Sequence, residues 1–183
     1  CCVGINNRKA ARIAGRLMGQ FLGGTGKIAV VSSAIASENN NYYVQVRETE
    51  FADFIHKEYP DIEIITTLDS FEDPQITYEK TVKLLRDYQD LQGIYITCGG
   101  VSQVGRALEE SGRAKDIRVI SFEDYPEVVD LIRKDVIDCT LAGELQQQGE
   151  IPVQIIMDYL VFGKEPEQQQ IFTDIRVLVK ESL

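Results

Sequence analysis

The sequence predicts an α/β fold with a doubly wound, mostly parallel sheet. Short apolar, β-branched runs alternate with segments of helical periodicity five times along the chain. Some runs, such as residues 27–32, are apolar without alternation, the pattern of a strand covered on both faces. The connections are short, so right-handed crossovers place helices on both sides of one sheet.

Residues 2–5 read as a strand, Asn6-Asn7 as a turn and 9–22 as a helix with Ala10, Ile13, Ala14, Leu17, Met18 and Phe21 on one face. Gly15 and Gly19, four apart, let this helix lie close to a neighbour, and the glycines at 23, 24 and 26 end it. After strand 27–32 comes a polar loop, 33–41, then a helix over 43–59 with Phe51, Phe54 and Ile55 inward and His56 at the surface. Strand 62–67 and loop 68–73 lead to a helix over 74–88, with Tyr78, Val82 and Leu85 on one side and proline in its first turn. Strand 94–97 is broken by Gly99-Gly100, and Val101, Val104 and Leu108 then recur at helical spacing. Those glycines either make only the turn or let a ligand approach the backbone at the helix start. Strand 118–122, loop 123–125, helix 126–134 and strand 136–142 follow. The pattern then changes: 143–149 is a loop or the start of a helix, 151–162 a helix with Pro152 in its first turn, and 171–180 a last strand.

At 183 residues, 44% hydrophobic and 26% charged, the chain has ordinary globular composition. No stretch is long and apolar enough to span a membrane. A net charge of −10 without a basic cluster argues against gripping a phosphate backbone directly. Four cysteines without CxxC spacing and a single histidine make a metal site improbable, and no cofactor motif is present. Cys98 and Cys139 fall in or beside strands, as small apolar residues, and free thiols suit a cytoplasmic protein. The chain opens directly in a strand, from which a missing upstream part is expected.

In open α/β sheets ligands bind outside the carboxyl ends of the strands. The loops there supply amides, hydroxyls, carboxylates and the aromatics Phe71 and Tyr125, which suits a neutral polyhydroxy or amide-bearing molecule. There is no GxSxG, P-loop or GxGxxG motif, and His56 sits on a helix flank away from the strand ends, so an enzyme is not expected. Glu123-Asp124 reads as an acidic turn or an acid–base pair, and Phe71 as a loop anchor or a stacking platform.

Read in order, Val3-Gly4-Ile5-Asn6-Asn7 with Ala10-Ala11-Arg12-Ile13-Ala14, the unit at 93–108, Val119-Ile120-Ser121-Phe122-Glu123-Asp124-Tyr125-Pro126, and 139–149 followed by a helix and Gly163 are similar to four motifs of one family. The chain resembles, nearly end to end, the periplasmic-binding-protein-like type I effector domain of LacI/GalR-type transcription regulators, mainly its C-terminal lobe. The resemblance implies ligand contacts at Gln45, Phe71, Gly99, Glu123 and Gly143. Of these, Phe71 alone keeps the family's usual residue type; arginine becomes Gln45, asparagine Gly99, aspartate Glu123 and glutamine Gly143. Asn6, Cys98 and Glu144 are neighbours placed to take over contacts.

The resemblance also implies two lobes joined by crossing strands. Residues 1–6 would be the first crossing, 7–142 the C-terminal lobe, 143–171 a remnant of the N-terminal lobe and 172–183 the return to the C-terminal lobe. Helix 151–162 would then expose an apolar face unless another chain covers it. The implied function is binding of a small, sugar-like effector that shifts lobe orientation and so controls DNA binding by a missing headpiece, in a homodimer contacting through helix 101–111 and strand 118–122. A sugar-binding protein of an ABC uptake system shares the fold, and a flavodoxin-like enzyme is the remaining alternative.

Overall fold

The computed structural model describes residues 1–33 and 42–183. Among the described residues, six strands form one sheet in the order β3-β2-β4-β5-β6-β8. These are β2 (Thr25–Ser32), β3 (Asp61–Asp69), β4 (Leu91–Ile96), β5 (Arg118–Phe122), β6 (Cys139–Gly143) and β8 (Ile175–Leu178). All pairings are parallel except that of β8, which runs antiparallel to β6. A second sheet pairs β1 (Cys2–Ile5) in parallel with β7 (Gln170–Thr173).

Alternation along the strands splits the core in two. Ala29, Val31, Ile94, Ile96 and Val119 face helices α3 (Pro74–Asp87), α4 (Val101–Ser111) and α5 (Pro126–Arg133). Ile28, Val30, Tyr95, Ile120 and Phe122 face α1 (Asn7–Phe21) and α2 (Tyr42–Glu58). This is the doubly wound architecture expected from the continuous apolar runs. Gly15 and Gly19 let α2 close onto α1: a Cβ on Gly15 would stand 2.7 Å from the Phe54 ring, and one on Gly19 2.1 Å from Tyr59.

Several local expectations are corrected. The buried face of α1 is Ala10, Ala11, Ala14 and Met18, with Phe21 turned outward, because close packing on α2 selects the small residues. In α3 the buried positions are Thr77, Thr81, Leu84 and Leu85; Val82 is exposed. Strand β5 lies between β4 and β6 and is buried from Val119 to Phe122, so it offers no edge for a dimer contact. Residues 171–180 are two strands: Asp174 interrupts them, and the chain passes from the small sheet to the large one. That change is pinned by Gln147, whose amide donates to Asp174 Oδ2 (3.1 Å) while its Oε1 accepts the Asp174 N–H (3.2 Å).

Of the two readings of 143–149, the start of a helix holds: α6 (Leu145–Phe162) begins six residues before 151, so Pro152 is interior rather than in its first turn. Gln146 supports the added turn, donating to Glu150 at 2.7 Å along the helix. No residue of α6 is buried.

Candidate functional site

The strand order reverses between β2 and β4, which creates a crevice at their carboxyl ends. A cavity of about 420 Å³ opens there, lined by Arg47, Glu72, Cys98, Gly99, Phe122 and Glu123 together with the first turns of α4 and α5. A smaller one of about 220 Å³ lies beside it, between Arg47, Glu123 and Asn7 on one side and Gly143, Gln148 and the β1–β7 sheet on the other.

Arg47 stands where the two cavities meet. It falls in the stripe Val44, Arg47, Phe51, Ile55 of α2, so helical phase turns it toward the sheet with three buried apolar residues. Its Nε donates to Asn7 Oδ1 (2.7 Å) and Nη1 to the Thr97 carbonyl (3.1 Å), while Nη2 lies 3.7 Å from Glu123 Oε1. The guanidinium carbon sits 4.0 Å from the centre of the Phe122 ring. Burial pushes the Arg47 pKa down, against the opposing pull of Tyr95 and Glu123.

Three expected contacts are displaced by one or two positions. Gln45 is exposed on α2, and Arg47 is the residue in the cavity. Asn6 caps α1, its Oδ1 accepting the Lys9 N–H at 3.0 Å, and Asn7 is the asparagine at the crevice. Phe71 is 53% exposed with Lys80 Nζ 4.5 Å from its ring centre, and Glu72 lines the cavity instead. Both Phe71 and Glu72 have positive φ, which turns successive side chains to opposite sides of the β3–α3 connection. The Glu72 carboxylate accepts from Ser33 Oγ at 3.1 Å. Of the loop expected at 33–41, residues 34–41 lie outside the described residues.

Cys98 is buried, 3.4 Å from Ser70 Oγ, and burial raises its thiol pKa. Nothing lies within 4 Å of where a Cβ on Gly99 would be, whereas Gly100, at φ +92°, caps α4 with a Cβ position 2.8 Å from Thr77. Glu123 has φ +70° and is held by its own backbone: its N–H donates to the Leu141 carbonyl (2.8 Å), and its carbonyl accepts from Thr140 Oγ1 (2.7 Å). At Gly143 a Cβ would meet Gln148 Nε2 at 2.2 Å, so the Gln148 amide fills the space a side chain at 143 would take. Glu144 caps α6 and lies 3.4 Å from Arg176 Nε, outside both cavities.

The Arg47 Nη2, the Glu123 carboxylate and the free space at the start of α4 can hold hydroxyl groups by a paired donor and acceptor. Among the described residues no cluster of three or more metal-ligating side chains occurs. Fold and crevice together define an α/β ligand-binding domain. Residues 1–165 match the family model of the periplasmic binding protein domain, and the chain belongs to that family.

Solved structures agree with the fold. A sugar-binding protein of a sugar ABC transporter from Bacillus halodurans is 28% identical with a TM-score of 0.87, over 98% of this chain and 63% of that one. A glucose-galactose binding protein from Geobacillus stearothermophilus is 23% identical with a TM-score of 0.87, over 99% and 62%. An arabinose binding protein from the same organism is 24% identical with a TM-score of 0.85, over 98% and 62%. This chain therefore spans less than two thirds of the length of these relatives. No curated protein matches the sequence.

Proposed function

We propose that the domain binds a neutral monosaccharide-like ligand in the crevice around Arg47, as part of a solute-binding protein of a sugar uptake system. The observation that carries this reading is the Arg47–Glu123 pair, which sets a guanidinium Nη2 donor beside a carboxylate acceptor at one cavity, with the exposed Tyr125 ring in the same lining. The sugar-binding names of the three solved relatives support it. The domain's action is binding without turnover. On the same reading residues 7–142 are one lobe, 143–171 belong to the other, and the small sheet lies where the chain crosses between them.

The effector domain of a LacI-type regulator is the second reading, supported by the residue pattern at 119–126. It differs in what it controls, DNA binding in the cytoplasm rather than uptake outside it, and shares the ligand site. The residues upstream of Cys1 discriminate the two: a helix-turn-helix headpiece favours the regulator, a secretion signal the uptake protein.

Calorimetry of the full-length protein with arabinose, galactose, glucose, fucose and tagatose tests the binding. At least one sugar is expected to bind, and at a hundred times its Kd it raises stability by about 2.7 kcal/mol. A folded protein silent to the whole panel overturns the reading.

A further inference from the structure

We propose that the outer face of α1 is a docking site for an acidic segment of a partner protein, separate from the ligand crevice and independent of the sugar reading. The chain carries a net charge of −10 and no basic cluster is expected, yet α1 gathers one: Arg8, Lys9, Arg12 and Arg16 with no acidic residue among them. Arg8 and Lys9 stand in its first turn, the positive end of the helix dipole, where helix stability favours carboxylates instead. The helix dipole therefore does not account for them.

The i, i+4 spacing of Arg8, Arg12 and Arg16 aligns three guanidiniums in a row. Glu50 orders two of them: Arg8 pairs with one carboxylate oxygen, and Arg12 Nη2 lies 2.9 Å from the other. Arg16 is held over the Phe54 ring, 5.1 Å from its centre, and donates to Tyr59 Oη at 3.1 Å and Glu58 Oε2 at 3.3 Å. Lys9 has no ion pair among the described residues. Four cations against two carboxylates leave an excess of two positive charges on this face. A hollow of about 460 Å³ runs along it, floored by Ile13, Leu17 and Phe54.

Ordered guanidinium forks suit carboxylates, and the apolar floor suits an aliphatic or aromatic side chain between them. Two excess charges on a strongly acidic chain are too few to hold an anionic membrane, where each cation adds only a small increment. The fitting occupant is a peptide segment with acidic residues flanking apolar ones.

The test is fluorescence anisotropy of the full-length protein with a labelled synthetic peptide of interspersed glutamate and leucine, and a control peptide with lysine for glutamate. Saturable binding of the acidic peptide is expected, at least tenfold weaker for Lys9→Glu with Arg12→Gln, and unchanged for Lys115→Glu, an exposed cation elsewhere. Lys9→Glu alone keeps the test secure against misfolding, because glutamate at the third helical position can cap α1, and it too is expected to weaken binding by a fewfold factor. The proposal is overturned by absence of saturable binding, by equal binding of the lysine peptide, or by equal affinity in the α1 variants. It is also overturned if those variants abolish instead self-association or sedimentation with phosphatidylglycerol vesicles.

Discussion

The Arg47 guanidinium lies over Phe122, 4.0 Å from the ring centre, and only 12% of its side chain reaches solvent. Two of its nitrogens are bound to Asn7 and Thr97, so it ties α2 to the start of α1 and the end of β4 before any ligand arrives. Replacing it by methionine removes the cation over the ring and leaves the Thr97 carbonyl and Glu123 without it, a loss of about 2–3 kcal/mol. Lysine keeps the charge but not the fork, and is expected to weaken sugar binding at least tenfold. Urea denaturation and calorimetry of the two variants separate the structural from the binding effect.

The two glycines at the start of α4 are expected to behave oppositely. Gly100→Ala forces an L-residue to φ +92° and places a Cβ against Thr77, so the chain should lose about 1–2 kcal/mol in chemical denaturation. Gly99→Asn meets open space and should change stability by less than about 0.5 kcal/mol while altering which sugars bind. A Gly99 variant as unstable as the Gly100 variant contradicts the open cavity.

The buried thiols set a pH limit. Burial of Cys139 pushes its pKa up to about 12, above the ordinary thiol value of 9.0, with Asp138 adding to the rise. The folded chain therefore keeps a proton that the unfolded chain has lost, and stability must fall as pH rises from about 9 toward 12, by about 1.4 kcal/mol per pH unit from this group. Burial raises Cys98 as well, in the same direction. Cys139→Ala should flatten that alkaline decline in denaturation curves measured from pH 8 to 11. An unchanged slope assigns the decline to other groups.

The sheet was legible because its strands are nearly continuous apolar runs, which only burial on both faces allows. The site was legible only to within a residue or two. The resemblance implies a contact at Gln45, whereas the stripe Val44, Phe51, Ile55 puts Arg47, with Glu48 beside it, on the buried face of α2. Asn6 and Asn7 could not be told apart without knowing which caps α1, a matter decided by a 3.0 Å bond to the Lys9 N–H. At Phe71-Glu72, positive φ at both residues decides which side chain faces the crevice, and composition carries no sign of that. In α6, Pro152 reads as a first-turn signal, and sequence alone leaves 143–149 open between loop and helix start; the Gln146–Glu150 bond ahead of the proline decides for the helix.

Helix α6 has no fully buried residue, and Leu160 and Phe162 are 71% and 77% exposed, with Val153, Ile156 and Val161 also more than half exposed. Scattered apolar residues are normal on a surface, but this many on one helix form a contiguous patch that water disfavours. A protein of residues 1–183 alone is therefore expected to bind a hydrophobic dye and to self-associate with rising concentration in sedimentation velocity. Changing Leu160 and Phe162 to serine should reduce both effects while shifting stability by less than about 0.5 kcal/mol, since neither side chain supports the core. The proposed lobe assignment gives the patch its occupant, the rest of the lobe to which residues 143–171 belong. If the 1–183 chain is instead monomeric, dye-silent and indifferent to the two substitutions, α6 needs no cover and that assignment loses its physical support.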